Sequence, residues 1–130
     1  VGYIFKSEVC ELDQALLNHK TTARTQYDLG WQRAEAVGGF DTIFVNAHGH
    51  ITEGGRSTVF VKLNGQWWTP PLSDGVLPGI LRAQILQDAQ WNVRERSISV
   101  EEFLSAEQIM LGNSLRGLMP AYRLNVEGTD

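Results

Sequence analysis

The 130-residue sequence predicts a mixed α/β (α+β) domain, a mixed sheet or β pseudo-barrel with flanking helices, from three observations. Short runs rich in β-branched and aromatic residues recur along the chain, separated by turn residues. Asn64-Gly65 between two of these runs is a two-residue hairpin signal, so neighbouring strands pair locally. Two segments instead repeat apolar residues at helical spacing, one through Tyr27, Trp31 and Ala34 and one through Leu81, Ile85 and Ala89.

Taken in order, Val1–Val9 reads as a strand, and the less regular Glu11–His19 leads to His19-Lys20-Thr21-Thr22. A helix is expected from about Thr25 to Val37, stopped by Gly38-Gly39. Asp41–Asn46 is a β run closed by the turn Ala47-His48-Gly49-His50. Thr58–Leu63 and Gln66–Thr69 form the hairpin arms, and Pro70-Pro71 with Ser73-Asp74-Gly75 form a loop. Pro78 has the position of a first-turn helix proline, which predicts a helix over about Pro78–Gln90. Asn92–Ile98 reads as a strand with Arg94 and Arg96 facing solvent, and Ser99 with Glu102 is a capping box for a short helix. Ile109–Leu111 and Ala121–Leu124 complete the strands.

A hydrophobic content of 42% with 20% charged residues suits one globular domain. The net charge of −4, with Lys and Arg scattered, excludes a general nucleic-acid binder. No apolar run approaches the roughly 20 residues needed to span a bilayer, and no signal peptide is visible. Cys10 is the only cysteine, so no intrachain disulfide forms and a cytoplasmic location is expected. A chain that opens at Val1, already in an extended segment, is expected to be part of a longer protein. A processed small protein is the alternative.

Several residues carry candidate chemistry. Lys20, Arg24 and Tyr27 present an amine, a guanidinium and a phenol, the groups that hold a cofactor bearing an aldehyde, a phosphate and a phenolic oxygen. A solvated surface lysine is the competing reading. Glu53-Gly54-Gly55 between two β runs lets a flat ligand approach the backbone, with the carboxylate keeping a ring nitrogen protonated. The competing reading is a bulge with a solvated Glu53. Leu77-Pro78-Gly79-Ile80-Leu81-Arg82 opens a helix whose free N–H groups suit a phosphate, or is an ordinary proline-initiated helix. His48 and His50 lack a third ligand at zinc spacing and are read as a turn. Trp67-Trp68 reads as a strand with one tryptophan inward and one at an interface.

In sequence order these segments resemble the C-terminal half of class IV, fold-type IV pyridoxal-phosphate enzymes. The run His19-Lys20-Thr21-Thr22-Ala23-Arg24-Thr25-Gln26-Tyr27-Asp28 resembles the Lys-x-x-x-Arg segment of aminodeoxychorismate lyases. It is especially similar to the form fused behind para-aminobenzoate synthase component I. Thr52-Glu53-Gly54 with Val59-Phe60-Val61 resembles the pyridine-nitrogen glutamate segment, and Thr69–Ile80 the Thr-Pro-Pro…Leu-Pro-Gly-Ile phosphate segment. Gly112–Ala121 resembles the lyase version of the last pocket segment. Leu81 and Thr25 stand where branched-chain aminotransferases tend to have threonine and tyrosine, which favours the lyase.

The resemblance implies a D-amino-acid-aminotransferase-like large domain over 1–130, a cofactor-binding C-terminal domain without the family's small N-terminal domain. Pyridoxal 5'-phosphate is the implied cofactor and Lys20 its Schiff-base lysine. Arg24, Tyr27, Glu53, Leu77, Ile80, Leu81, Asn113 and Ser114 are the implied cofactor neighbours. The implied reaction converts 4-amino-4-deoxychorismate to 4-aminobenzoate and pyruvate, a step of folate biosynthesis. The implied partners are the missing N-terminal domain or a synthase component, and a second copy in a homodimer. An amino-acid transaminase (branched-chain or D-amino acid) and a catalytically silent interaction domain of a para-aminobenzoate synthase are the alternatives.

Overall fold

The computed structural model describes residues 1–5 and 20–124, with the side chains of 20–24 left aside. The predicted continuation of the first strand to Val9 and the segment Glu11–His19 lie outside the described residues. The first sheet orders its strands as β3-β2-β1-β9, with β1 (Gly2–Phe5) parallel to β2 (Asp41–Val45) and to β9 (Tyr122–Arg123). The edge strand β3 (Ile51–Gly54) runs antiparallel to β2 with a register shift between them. The second sheet orders as β6-β5-β4-β7-β8. Its members are β4 (Thr58–Leu63), β5 (Gln66–Thr69), β6 (Arg94–Glu95), β7 (Gln108–Asn113) and β8 (Gly117–Pro120).

The expected pseudo-barrel takes the form of these two sheets wrapped on one core. Side-chain alternation explains it, because every second residue of a strand faces the same way. Val59 and Val61 of β4 and Ile109 and Leu111 of β7 meet Tyr3, Phe5, Ile43, Val45 and Ile51 from the other sheet. The intervening pair, Phe60 and Met110, lies directly across the ladder and points to the opposite face. There it packs under Ile85 and Leu81 of α2 (Ile80–Gln87), with Val93, Trp67 and Trp91 completing a second cluster. Trp67 meets Trp91 edge-on at 5.1 Å, whereas Trp68 joins the main core. The two tryptophans therefore serve opposite faces of one strand, and neither is needed at an interface to be explained.

Phe103 of the short helix α3 (Val100–Leu104) closes the main core, with its ring edge-on to Tyr3 at 5.2 Å and Phe5 at 5.6 Å. The Ser99 hydroxyl accepts from the Glu102 N–H and the Glu102 carboxylate accepts from the Ser99 N–H, so the predicted capping box forms. Phe103→Ala is expected to lower unfolding free energy by about 3–5 kcal/mol, measured by chemical denaturation. The hairpin turn also follows prediction, with Asn64 and Gly65 both left-handed at φ 50° and 78°.

Other elements differ from expectation. The first helix, α1, runs Lys20–Ala36 and so begins five residues before the predicted Thr25. The polar run Thr21–Thr25 carries no apolar period that would have signalled it. Its end is a Schellman motif: the Gly39 N–H donates to Ala34 O, the Gly38 N–H to Glu35 O, and Gly38 has φ 85°. Helix α2 is capped at Gly79, in extended backbone, so Pro78 precedes the cap rather than opening the first turn. The strand predicted over Asn92–Ile98 shrinks to Arg94–Glu95, since Asn92 turns left-handed at φ 49°. Arg96 keeps 40% of its side chain exposed but also stacks over Trp68 at 4.9 Å and pairs with Glu102. The predicted strand over Ala121–Leu124 is only Tyr122–Arg123, and Gly117–Pro120 is an additional edge strand, a position where proline is tolerated. Among the described residues no helix is long and apolar enough to cross a membrane.

Candidate cofactor site

A cleft of about 190 Å³ opens where the C-terminal ends of β3 and β7 meet the start of α2. Tyr27, Glu53, Leu77, Ile80, Leu81, Asn113 and Ser114 all line it, together with Arg56, Thr58, Gly79 and Gly112. Seven residues named from the sequence, on four separate segments, thus share one space. Lys20 and Arg24 lie in the first turns of α1, and their side chains fall outside the described ones. Positions 20, 24 and 27 follow i, i+4, i+7 spacing and share one helix face, the face on which Tyr27 reaches the cleft.

Glu53 is not the solvated loop carboxylate of the competing reading. It sits in β3 with 6% of its surface exposed. The Leu77 N–H donates to both of its oxygens at 3.3 Å, and the Tyr27 side chain hydrogen-bonds it as well. Burial pushes its pKa up to about 7. The Leu77 and Tyr27 bonds and the more distant Arg82 charge pull the other way, while the neighbouring Asp41 charge adds to the rise. A carboxyl so raised in proton affinity can share a proton with a weakly basic ring nitrogen.

At the other end, the Gly79 cap brings no side-chain hydrogen bond to the first turn of α2. A Cβ added at Gly79 would meet only Thr58 Oγ1, at 3.8 Å, so the approach to these N–H groups is open. The helix start thereby offers unspent donors and the positive end of its dipole to an anion. The Leu81 side chain packs close to Gly112, where an added Cβ would lie 2.8 Å from its Cδ2. Leu77 and Ile80 stand 59% and 70% exposed, unusual for such residues and suited to packing on a flat ring. The Asn113 amide donates to Arg56 O and its oxygen accepts from the Leu115 and Arg116 N–H groups. Its side chain is thus committed to shaping the turn, with Ser114 exposed beside it.

Asp41 and Arg82 went unremarked in the sequence. Asp41, fully buried, accepts from the N–H groups of Thr42, Gly55 and Arg56 and from the Ser57 hydroxyl. Only the pairing of a carboxylate with a glycine-rich turn hinted at it. Arg82, also buried, ties α2 to Pro70 O and to Glu95. Arg56 lines the cleft but spends its guanidinium on Phe40 O, Glu35 and the rings of Trp31 and Phe40. The His48–His50 turn is held by Asn46 Oδ1, which accepts from both N–H groups.

The two sheets thus carry a cleft with a buried carboxyl at one end and a helix start at the other. The chain belongs to the amino-transferase class IV family, whose sequence profile it matches over residues 3–124. Members of this family use pyridoxal phosphate, and the donor set at the two ends of the cleft fits that group. Over 82% of its length the chain is 35% identical to the "Probable branched-chain-amino-acid aminotransferase" of Thermotoga maritima, of which it covers 39%. Over 58% of its length it is 32% identical to a provisionally named aminodeoxychorismate lyase of Schizosaccharomyces pombe, of which it covers 33%. The crystal structure of a provisionally named 4-amino-4-deoxychorismate lyase from Legionella pneumophila superposes with a TM-score of 0.81 at 29% identity. That match covers 96% of this chain and 48% of the other. The chain therefore spans less than half the length of these relatives.

Proposed function

We propose that this chain is the cofactor-holding C-terminal part of a pyridoxal-phosphate-dependent 4-amino-4-deoxychorismate lyase, acting in folate biosynthesis in the cytoplasm. The observation that carries the cofactor reading is the buried, proton-seeking Glu53 sharing one cleft with the glycine-capped start of α2. The lyase reading draws on the resemblance of Gly112–Ala121 and on Leu81, which brings no hydroxyl to the helix start.

Pyridoxal phosphate, when bound, supplies an electron sink next to the substrate nitrogen. Lys20 would hold the cofactor through its amine and, when free, would serve as the base that takes a proton from the carbon bearing the substrate nitrogen. Glu53 keeps the proton at the pyridine nitrogen, with Tyr27 and the Leu77 N–H orienting its carboxylate. The N–H groups of Ile80 and Leu81 hold the phosphate with the Asn113-Ser114 turn, and Leu77 packs on the ring. Arg24, one helical turn after Lys20, is proposed as a further cofactor neighbour. Departure of the enolpyruvyl group would leave 4-aminobenzoate and pyruvate, with the assisting acid expected from the family's small N-terminal domain. A homodimer, or fusion to a synthase component, completes the site.

The test is product analysis with the intact protein and 4-amino-4-deoxychorismate. Pyruvate and 4-aminobenzoate are expected in equal amounts with no 2-oxo acid added. A strict need for a 2-oxo acid acceptor would make it a transaminase, the reading favoured by the Thermotoga maritima relative. No uptake of pyridoxal phosphate would leave a silent interaction domain.

A further inference from the structure

Asp41 is a fully buried carboxyl that the chemistry above does not use. It lies on β2, adjacent to the strand that carries Glu53, and its four hydrogen-bond donors are strongly asymmetric in origin. One is its own neighbour, the Thr42 N–H at 2.8 Å; the other three are Gly55 N–H at 2.8 Å, Arg56 N–H at 2.9 Å and Ser57 Oγ at 2.6 Å. These three belong to the turn that follows Glu53 and lines the cleft. Gly54 shows how close the contact is: a Cβ there would lie 2.3 Å from both Asp41 Oδ2 and Ser57 Oγ. The turn also closes on itself through the Gly54 N–H to Ser57 O, at 2.9 Å. A buried acceptor with two oxygens and four donors is well satisfied, and a neutral residue of similar size would leave some of those donors orphaned.

We propose that Asp41 is a positioning residue for this site: its carboxylate gathers the Gly54–Ser57 turn so that Glu53 faces the cleft, and it sets a second negative charge behind that of Glu53. The inference rests on the reading of Glu53 as the carboxylate that faces the ring nitrogen. A negative charge behind Glu53 makes its carboxylate a stronger base and favours a positively charged ring nitrogen in front of it. Among the described residues, Tyr27 of α1 and the Leu77 N–H hydrogen-bond Glu53, and the charges of Asp41 on β2 and Arg82 on α2 act on it. Arg56, the cation nearest Asp41 in sequence terms of this turn, gives Asp41 its backbone and sends its guanidinium to Glu35 and Phe40. Among the described residues, Asp41 is the acidic charge that acts on Glu53 and Arg82 the basic one.

The direct test follows the Glu53 carboxyl by carbon-13 NMR through a pH titration of the intact protein without cofactor, in wild type and in Asp41→Asn. The wild-type midpoint is expected near the value of about 7 set by burial. In D41N it should move to lower pH by more than about half a unit, since an adjacent negative charge has been removed. With pyridoxal phosphate bound, kcat should fall at least ~10-fold while KM changes little, the pattern of a lost effect on the reacting state. An unchanged Glu53 midpoint in folded D41N overturns the proposal, whatever the protein does with pyridoxal phosphate. Failure of the wild type to take up the cofactor overturns the functional reading instead. Should D41N not fold, Ser57→Ala serves: losing that hydrogen bond raises the midpoint of Asp41 and displaces the inflection it leaves in the Glu53 curve. A Glu53 curve in S57A superposable on that of the wild type also overturns the proposal.

Discussion

Lys20→Ala is expected to abolish the near-visible absorbance of the lysine-linked cofactor in the intact protein and to lower kcat at least ~10³-fold. Both losses follow from one amine serving as the covalent anchor and as the base. Among the described residues that line the cleft none is a lysine: Tyr27 and Glu53 are bonded to each other, and Arg56 spends its guanidinium on Phe40 O and Glu35. The register of α1 supports the choice, since position 20 lies two turns before Tyr27 on the same face. Borohydride reduction of the loaded protein followed by peptide mapping gives the readout. An adduct that persists in the variant would move the linkage to another lysine and sink the assignment.

Glu53→Gln is expected to retain bound pyridoxal phosphate and lose roughly 10²–10³-fold in kcat. The amide preserves shape and accepts from the Leu77 N–H, but it cannot hold a proton in balance with a ring nitrogen. Unchanged turnover would reduce Glu53 to a structural carboxyl. The same residue makes a thermodynamic prediction for the cofactor-free protein. Its pKa is raised from 4.5 to about 7, so the folded chain binds this proton more tightly than the unfolded chain does. The stability it contributes is complete below pH 4.5 and is lost as pH rises through about 7. The change is on the order of 3 kcal/mol across that window. Denaturant titrations at pH 5 and pH 8 should show the fall, and Glu53→Gln should flatten most of it. Asp41 is raised in the same direction by burial, so its own contribution has the same sign.

Much of the local architecture was legible because its causes lie within a few residues. Asn64-Gly65 specifies its own turn, as both positions accept left-handed backbone. Ser99 and Glu102 cap each other across three residues, and Gly38-Gly39 ends α1 by local bonding. Signals failed where the deciding partner was remote. Arg96 looks like the exposed member of an alternating strand until Trp68 and Glu102 arrive from other elements. Asp41 opens a β run like any short polar residue, and the N–H groups that define it lie 14 and 15 positions later. Gly117–Pro120 escaped notice because its proline argues against a strand, and only pairing along the free edge of β7 makes one of it.

Residue types and their order were enough to establish a mixed α+β chain, its family, and seven residues that share a cleft. Sequence spacing alone could not tell whether Glu53 was wet or dry. That was settled by packing, because the proton affinity of a carboxyl depends on lost water and on nearby charge. Around Glu53 both come from α1, the Leu77 loop, β2 and α2, segments brought together only by the folded chain.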